Sequence, residues 1–174
     1  MERLGETMGN TIQAVSGQEN AMEQAIQEAL ERLRNQKGAM GSLMALELDE
    51  CSPEEGTITV SLEPAPWMAN SMGWMHGGII SSAMDTAMGT LSRWCAGGEG
   101  YTPTVSMQIT YLRPVMLSGR VHIRARVTHA GRSLVSLTSE LWAGSEKTRL
   151  LATASGTYAA MRPQKGVGES GAEK

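Results

Sequence analysis

The sequence predicts an α+β fold, with one antiparallel β-sheet wrapped around a single buried helix and an amphipathic helix in front of both. Three observations carry this. Ile79, Ile80, Ala83, Met84, Ala87, Met88 and Leu91 recur at helical spacing and leave few polar faces. On both sides of that helix the apolar period shortens to two, the signature of half-buried strands. A helix apolar on most faces must be covered, and one sheet curved around it does so.

The elements follow in order. Residues Met1 to about Asn20 are polar and carry glycines, and are expected to be loose. From Ala21 to Gln36, Met22, Ile26, Leu30 and Leu33 form a stripe, with Glu23, Glu28, Glu31, Arg32 and Arg34 on other faces, as in a helix packed along one side. Strands are expected at Met44 to Leu48 and Thr57 to Glu63, separated by the turn Ser52-Pro53-Glu54-Glu55-Gly56. A loop from Asn70 leads through Gly77-Gly78 into the buried helix, which Gly97-Gly98 ends. Val105, Met107, Ile109 and Tyr111 then alternate with Thr104, Ser106, Gln108 and Thr110. Val121, Ile123, Ala125 and Val127 alternate with Arg120, His122, Arg124 and Arg126. Ala130-Gly131-Arg132 reads as a hairpin turn, Leu134 to Trp142 as a strand and Leu150 to Ala160 as the last. The expected organisation is an N-terminal extension over residues 1–36, a sheet-and-helix domain over 37–162, and a disordered tail over 163–174.

Composition narrows the function classes. The chain has 174 residues, enough for one domain, with 41% hydrophobic and 19% charged residues, as in a globular protein. A net charge of -3 argues against nucleic acid or an anionic membrane as partner. There is no Phe, while Met numbers 13, so thioether side chains fill spaces that rings would take. Cys51 and Cys95 stand far apart without metal spacing and are expected as free thiols. No apolar run reaches about 18 residues and no charged-then-apolar leader opens the chain, from which a cytoplasmic location is expected. The three histidines are scattered, so no metal site is expected.

The chemistry concentrates between Asn70 and Trp94. Backbone N–H groups at a helix N-terminus point outward with partial positive charge, and Gly77 and Gly78 have no side chains to block approach. A carbonyl resting there would be polarised, with Asn70 and His76 as side-chain donors to the same oxygen. Asp85 is a lone carboxylate on the apolar helix, costly unless used. It lies nine residues after His76, about 13 Å along a helix axis. Within one chain that is too far for both to touch one reacting atom, so cooperation requires a second copy across a dimer interface. Thr104 opens the strand that follows. Between Glu99 and Glu140 there is no acidic residue, yet Arg113, Arg120, Arg124, Arg126 and Arg132 fall there, a phosphate-binding edge or a solvated sheet face. The Gly-Gly pair lacks the Lys-Ser/Thr of a phosphate-binding loop.

Asn70, His76-Gly77-Gly78, Asp85 and Ala87, followed by Thr104 to Val115 with Tyr111-Leu112-Arg113-Pro114, resemble the hotdog-fold acyl-CoA thioesterases, most closely the phenylacetate-pathway (PaaI-like) branch. The resemblance covers roughly Lys37 to Met161. It implies hydrolysis of acyl-CoA, with no cofactor beyond the coenzyme A carried by the substrate, by a homodimer or homotetramer. Asp85 is then general base or nucleophile, Gly77 with Asn70 the carbonyl site, His76 an orienting group and Thr104 the holder of the water. Gly78, Arg113 and Arg132 are the expected substrate contacts, and His122 and His129 are structural. Trp67, Trp74, Trp94 and the methionines are candidates to line an aromatic or aliphatic acyl tunnel, with the N-terminal helix as its cap. Two other readings fit the same residues. One is a hydratase or dehydratase on this fold, with His76 as base and Asp85 as acid. The other is a non-catalytic acyl-CoA-binding module.

Overall fold

The computed structural model describes residues 2–98, 100–144 and 148–161, with side chains from Gly17 onward. The tail expected at 163–174 lies outside the described residues. Helix α1 spans Glu2–Asn35, α2 Met40–Met44 and α3 Gly77–Cys95. Strands are β1 Glu47–Ser52, β2 Thr57–Leu62, β3 Thr104–Tyr111, β4 Val121–Ala130, β5 Leu134–Ala143 and β6 Arg149–Ala159. They form one six-stranded sheet in the order β1-β2-β4-β5-β6-β3, antiparallel at every pairing.

The sheet closes around α3, which packs against β2 through β6 and against α1. Ala83, Met84, Ala87, Met88 and Leu91 of α3 have no exposed surface. They meet Ile58, Val60, Leu62, Ile123, Ala125, Leu137, Leu141 and Ala152 from the concave face. The β4 alternation is as read, with Val121, Ile123 and Ala125 inward. Its outward side is not simply solvated: His122 is largely covered and lies 2.7 Å from Asp49 Oδ2.

Two local expectations are corrected. The segment before Asn20 is not loose, because α1 begins at Glu2 and runs unbroken to Asn35. Glycines at 5, 9 and 17 weaken a helix by only about 1 kcal/mol each, and no proline interrupts it. The C-terminal half is fixed by burial of Met22, Ile26 and Leu30, which join the same core as the sheet. The first strand begins later than expected. Met40–Met44 is a helical turn that packs Gly41 on Leu33, and Ala45 in the left-handed region, at φ 49°, reverses the chain before β1. Among the described residues no helix is long and apolar enough to cross a membrane.

Candidate active site

The loop before α3 is built on its polar residues. Asn70 Oδ1 accepts the Met72 and Trp74 amides at 2.9 and 3.1 Å, closing a turn and leaving the side-chain NH2 group to donate. His76 caps α3: its Nδ1 accepts the Gly78 amide at 2.9 Å, and its carbonyl takes the amides of Ile79 and Ile80. In the neutral ring the proton then sits on Nε2, which is left as a donor. Of these first four amides only that of Gly77 has no acceptor among the described residues. Gly78, expected as a substrate contact, has its N–H committed to His76.

Gly77 is also sterically pinned. A Cβ there would stand 3.3 Å from Tyr111 Cζ, and the Tyr111 hydroxyl donates to the Gly77 carbonyl at 2.9 Å. Strand β3 thus holds the N-terminus of α3 with its last residue.

With its first residue β3 holds Asp85. Thr104 Oγ1 donates to Asp85 Oδ1 at 2.8 Å. Strict alternation would turn Thr104 to the face of Ser106, away from the helix. A β-bulge at Val105 reverses this: Thr104 pairs with Tyr158 while Ser106 pairs with Thr157, so Thr104 shares the inward face. The Tyr158 hydroxyl also donates to Asp85 Oδ1, at 2.8 Å. Burial, then the neighbouring Asp85 carboxylate, push the Tyr158 phenol well above the usual tyrosine range, so it keeps its proton and donates. Among the described residues nothing donates to Asp85 Oδ2.

Asp85, Thr104 and Tyr158 line a cleft of about 470 Å³ that runs along α3 past Thr86, Gly89, Thr90 and Arg93. Its far wall is α1, through Ala29, Arg32 and Leu33, with Gln36 just after the helix. The N-terminal helix therefore borders the cleft, whereas Trp67, Trp74 and Trp94 do not.

The arginines divide. Arg120 pairs with Glu47 and Glu63, and Arg126 with Glu55, so neither offers a free charge to a phosphate. Arg113 Nη1 donates to the Leu150 carbonyl at 2.6 Å, tying β3's exit to β6, and Arg132 is exposed in the β4–β5 turn. The structure brings Asp85 together with Thr104 and sets His76 beside Gly77 and Gly78 at the start of α3, with Asn70 in the loop that leads to them. It does not bring these two groups together within one chain.

The model of the thioesterase superfamily matches residues 72–149, which contain His76, Gly77, Asp85 and Thr104. The structure of conserved protein PA5202 from Pseudomonas aeruginosa is 33% identical, covering 70% of this chain and 93% of that one, with a TM-score of 0.62. The chain belongs to the thioesterase superfamily. This thioesterase shares the hotdog fold with the E. coli PaaI protein from the phenylacetic acid degradation operon, at 17% identity, 79% and 94% coverage and a TM-score of 0.65. Human acyl-coenzyme A thioesterase 13 is 24% identical over 124 residues, 70% of this chain and 84% of the relative.

Two residues of this thioesterase's site escape local sequence reading, Tyr111 and Tyr158. Each acts on a residue distant in sequence, Gly77 and Asp85. The one local signal for Tyr158 is Gly156, a glycine inside a strand that marks close approach of another group.

Proposed function

We propose that this thioesterase, of the PaaI-like branch, hydrolyses acyl-CoA to a free acid and coenzyme A in the cytoplasm, at sites shared between two copies of the chain. The thioester carbonyl oxygen rests on the Gly77 amide at the N-terminus of α3, with the Asn70 side-chain amide and His76 Nε2–H beside it. Asp85 of the other copy takes a proton from a water held by Thr104. The water oxygen attacks the carbonyl carbon, the C–S bond breaks, and the thiolate leaves as coenzyme A and is protonated. In the variant route Asp85 itself attacks, and water then hydrolyses the acyl-aspartyl anhydride. No resident cofactor enters either route. Gly78 and Arg132, with the guanidinium atoms of Arg113 that the Leu150 carbonyl leaves free, are the candidates to touch the coenzyme.

The observation that carries this reading is Asp85, a lone carboxylate on the central helix, oriented by Thr104 at 2.8 Å and lining the cleft. Gly77 and Asp85 are eight residues apart on one helix, about 12 Å along its axis, which favours pairing between copies. The free edge of β3, with Val105, Tyr111 and Leu112 exposed beside both groups, offers the surface for a second copy. The hydratase alternative is disfavoured by the His76 cap, which occupies Nδ1 and leaves Nε2 protonated instead of basic.

A panel of aryl, short-chain and long-chain acyl-CoAs assayed for free thiol tests the activity. Asp85→Asn is expected to lower the rate at least about 100-fold while the protein still folds and binds coenzyme A. An unchanged rate would favour a different catalytic group, and turnover of enoyl-CoA without thiol release would favour the hydratase.

A further inference from the structure

We propose that Tyr158 is a positioning residue for the reaction, fixing the Asp85 carboxylate so that Oδ2 alone is presented to water or substrate. The inference rests on Asp85 being the base or nucleophile.

Tyr158 belongs to β6 and is 1% exposed, yet it lines the same cleft as Asp85 and Thr104. It stands 2.8 Å from Asp85 Oδ1 and 3.3 Å from the Asp85 carbonyl oxygen. A phenol has one proton to give, and the carboxylate oxygen is the stronger acceptor. Thr104 Oγ1 donates to the same Oδ1 at 2.8 Å. Two donors from two strands occupy one oxygen of the carboxylate, which stops the group rotating about χ2 and leaves the lone pairs of Oδ2 uncommitted. A carboxylate held by one hydroxyl can swing and exchange its oxygens; one held from two directions cannot.

The ring is held as firmly as the hydroxyl. A Cβ on Gly156, two residues earlier on the same face, would come within 3.0 Å of Tyr158 Cε2 and 3.3 Å of its oxygen. A Cβ on Gly89 of α3 would touch Cε1 at 3.6 Å. Glycine inside β6 costs strand stability, and the space it leaves is filled by this ring. Without the hydroxyl, a phenylalanine would fill the same space equally well. The oxygen is therefore explained by Asp85 and not by packing.

The test compares Tyr158→Phe with the parent protein on one acyl-CoA substrate. Loss of a hydrogen bond to a charged group predicts a fall in kcat of roughly 10- to 100-fold. KM is expected to stay within about twofold and the variant to fold, because ring packing is retained. A second variant, Gly156→Ala, keeps the hydroxyl but pushes the ring off its place, and is expected to lower kcat by roughly tenfold. Equal kcat in Tyr158→Phe, or a fall matched by a rise in KM, would overturn the proposal. Asp85→Asn is run beside both. If it keeps its rate, the role of Asp85 itself fails; if it is inactive while Tyr158→Phe is fully active, only the positioning role fails.

Discussion

At Asp85 a half-buried carboxylate on a largely buried helix opens onto a cleft. A carboxylate on a helix packed inside a sheet is tolerated when its oxygens are hydrogen-bonded, and here both bonds fall on one oxygen. The buried phenol that makes one of them gives the molecule an alkaline limit. The folded-state affinity of Tyr158 for its proton is raised above the unfolded one, so its contribution to stability is complete below the ordinary tyrosine value of about 10. Above that pH the unfolded chain releases this proton while the native state keeps it. Stability then falls with rising pH, by at most about 1.4 kcal/mol per unit from this group. Urea midpoints measured from pH 8 upward should decline more steeply beyond pH 10 for the parent than for Tyr158→Phe. Parallel declines would show that Tyr158 is not the group responsible. Asp85 as a candidate was legible in the sequence because no acid or base stands beside it on an apolar helix. Its tyrosine partner was not, since a contact between residues 73 positions apart leaves no periodic trace.

At the scale of elements, period alone identified α3 and the strands from β2 onward; β4, β5 and β6 bury alternate residues, whereas all six residues of β2 are buried and on β3 only Met107 and Ile109 are even partly covered. It failed where the pattern was short or diluted. The five residues of α2 are too few to separate a helical turn from the start of a strand, and in the first half of α1 the glycines at 5, 9 and 17 and the polar residues dilute the helical spacing of Leu4, Met8, Ile12 and Val15. Strand β3 is the element with two duties, since its ends tie down both Asp85 and Gly77. The buried stripe of α1 makes this helix part of the core that it shares with the sheet. Leu30, 2% exposed in the shared core, makes the point testable. Leu30→Ala is expected to destabilise the whole protein by roughly 2–5 kcal/mol in a single unfolding transition. A separate early transition, or an unchanged urea midpoint, would mean that α1 folds apart from the sheet.

At the scale of the whole molecule, the proposed pairing of Gly77 with Asp85, which lie about 12 Å apart along one helix, makes oligomerisation a requirement of the proposed reaction. Mixing two inactive variants tests this directly. Gly77→Pro removes the free amide at the first helical position, where proline suits the backbone, and shifts the Tyr111 ring that its side chain meets, while Asp85→Asn removes the carboxylate. Copies that exchange freely form mixed pairs in which one of the two shared sites is intact, so about a quarter of the parent activity should return. No recovery after exchange, verified by mass, would place both groups of a site in one chain.

The bulge on β3 has a bearing on how this region tolerates changes of length. Val105, 59% exposed, is the supernumerary residue, and Thr104 already stands opposite Tyr158. Excising Val105 would restore a regular ladder and leave the threonine hydroxyl aimed at the carboxylate. Adding a residue at the same place would extend the loop-out and leave the alignment to the flanking pairs. The spacing between Pro103 and Tyr111 is thus free to drift by a residue while the chemistry stays in register, and a count of intervening positions is a poor guide to whether a homologous chain keeps this hydroxyl.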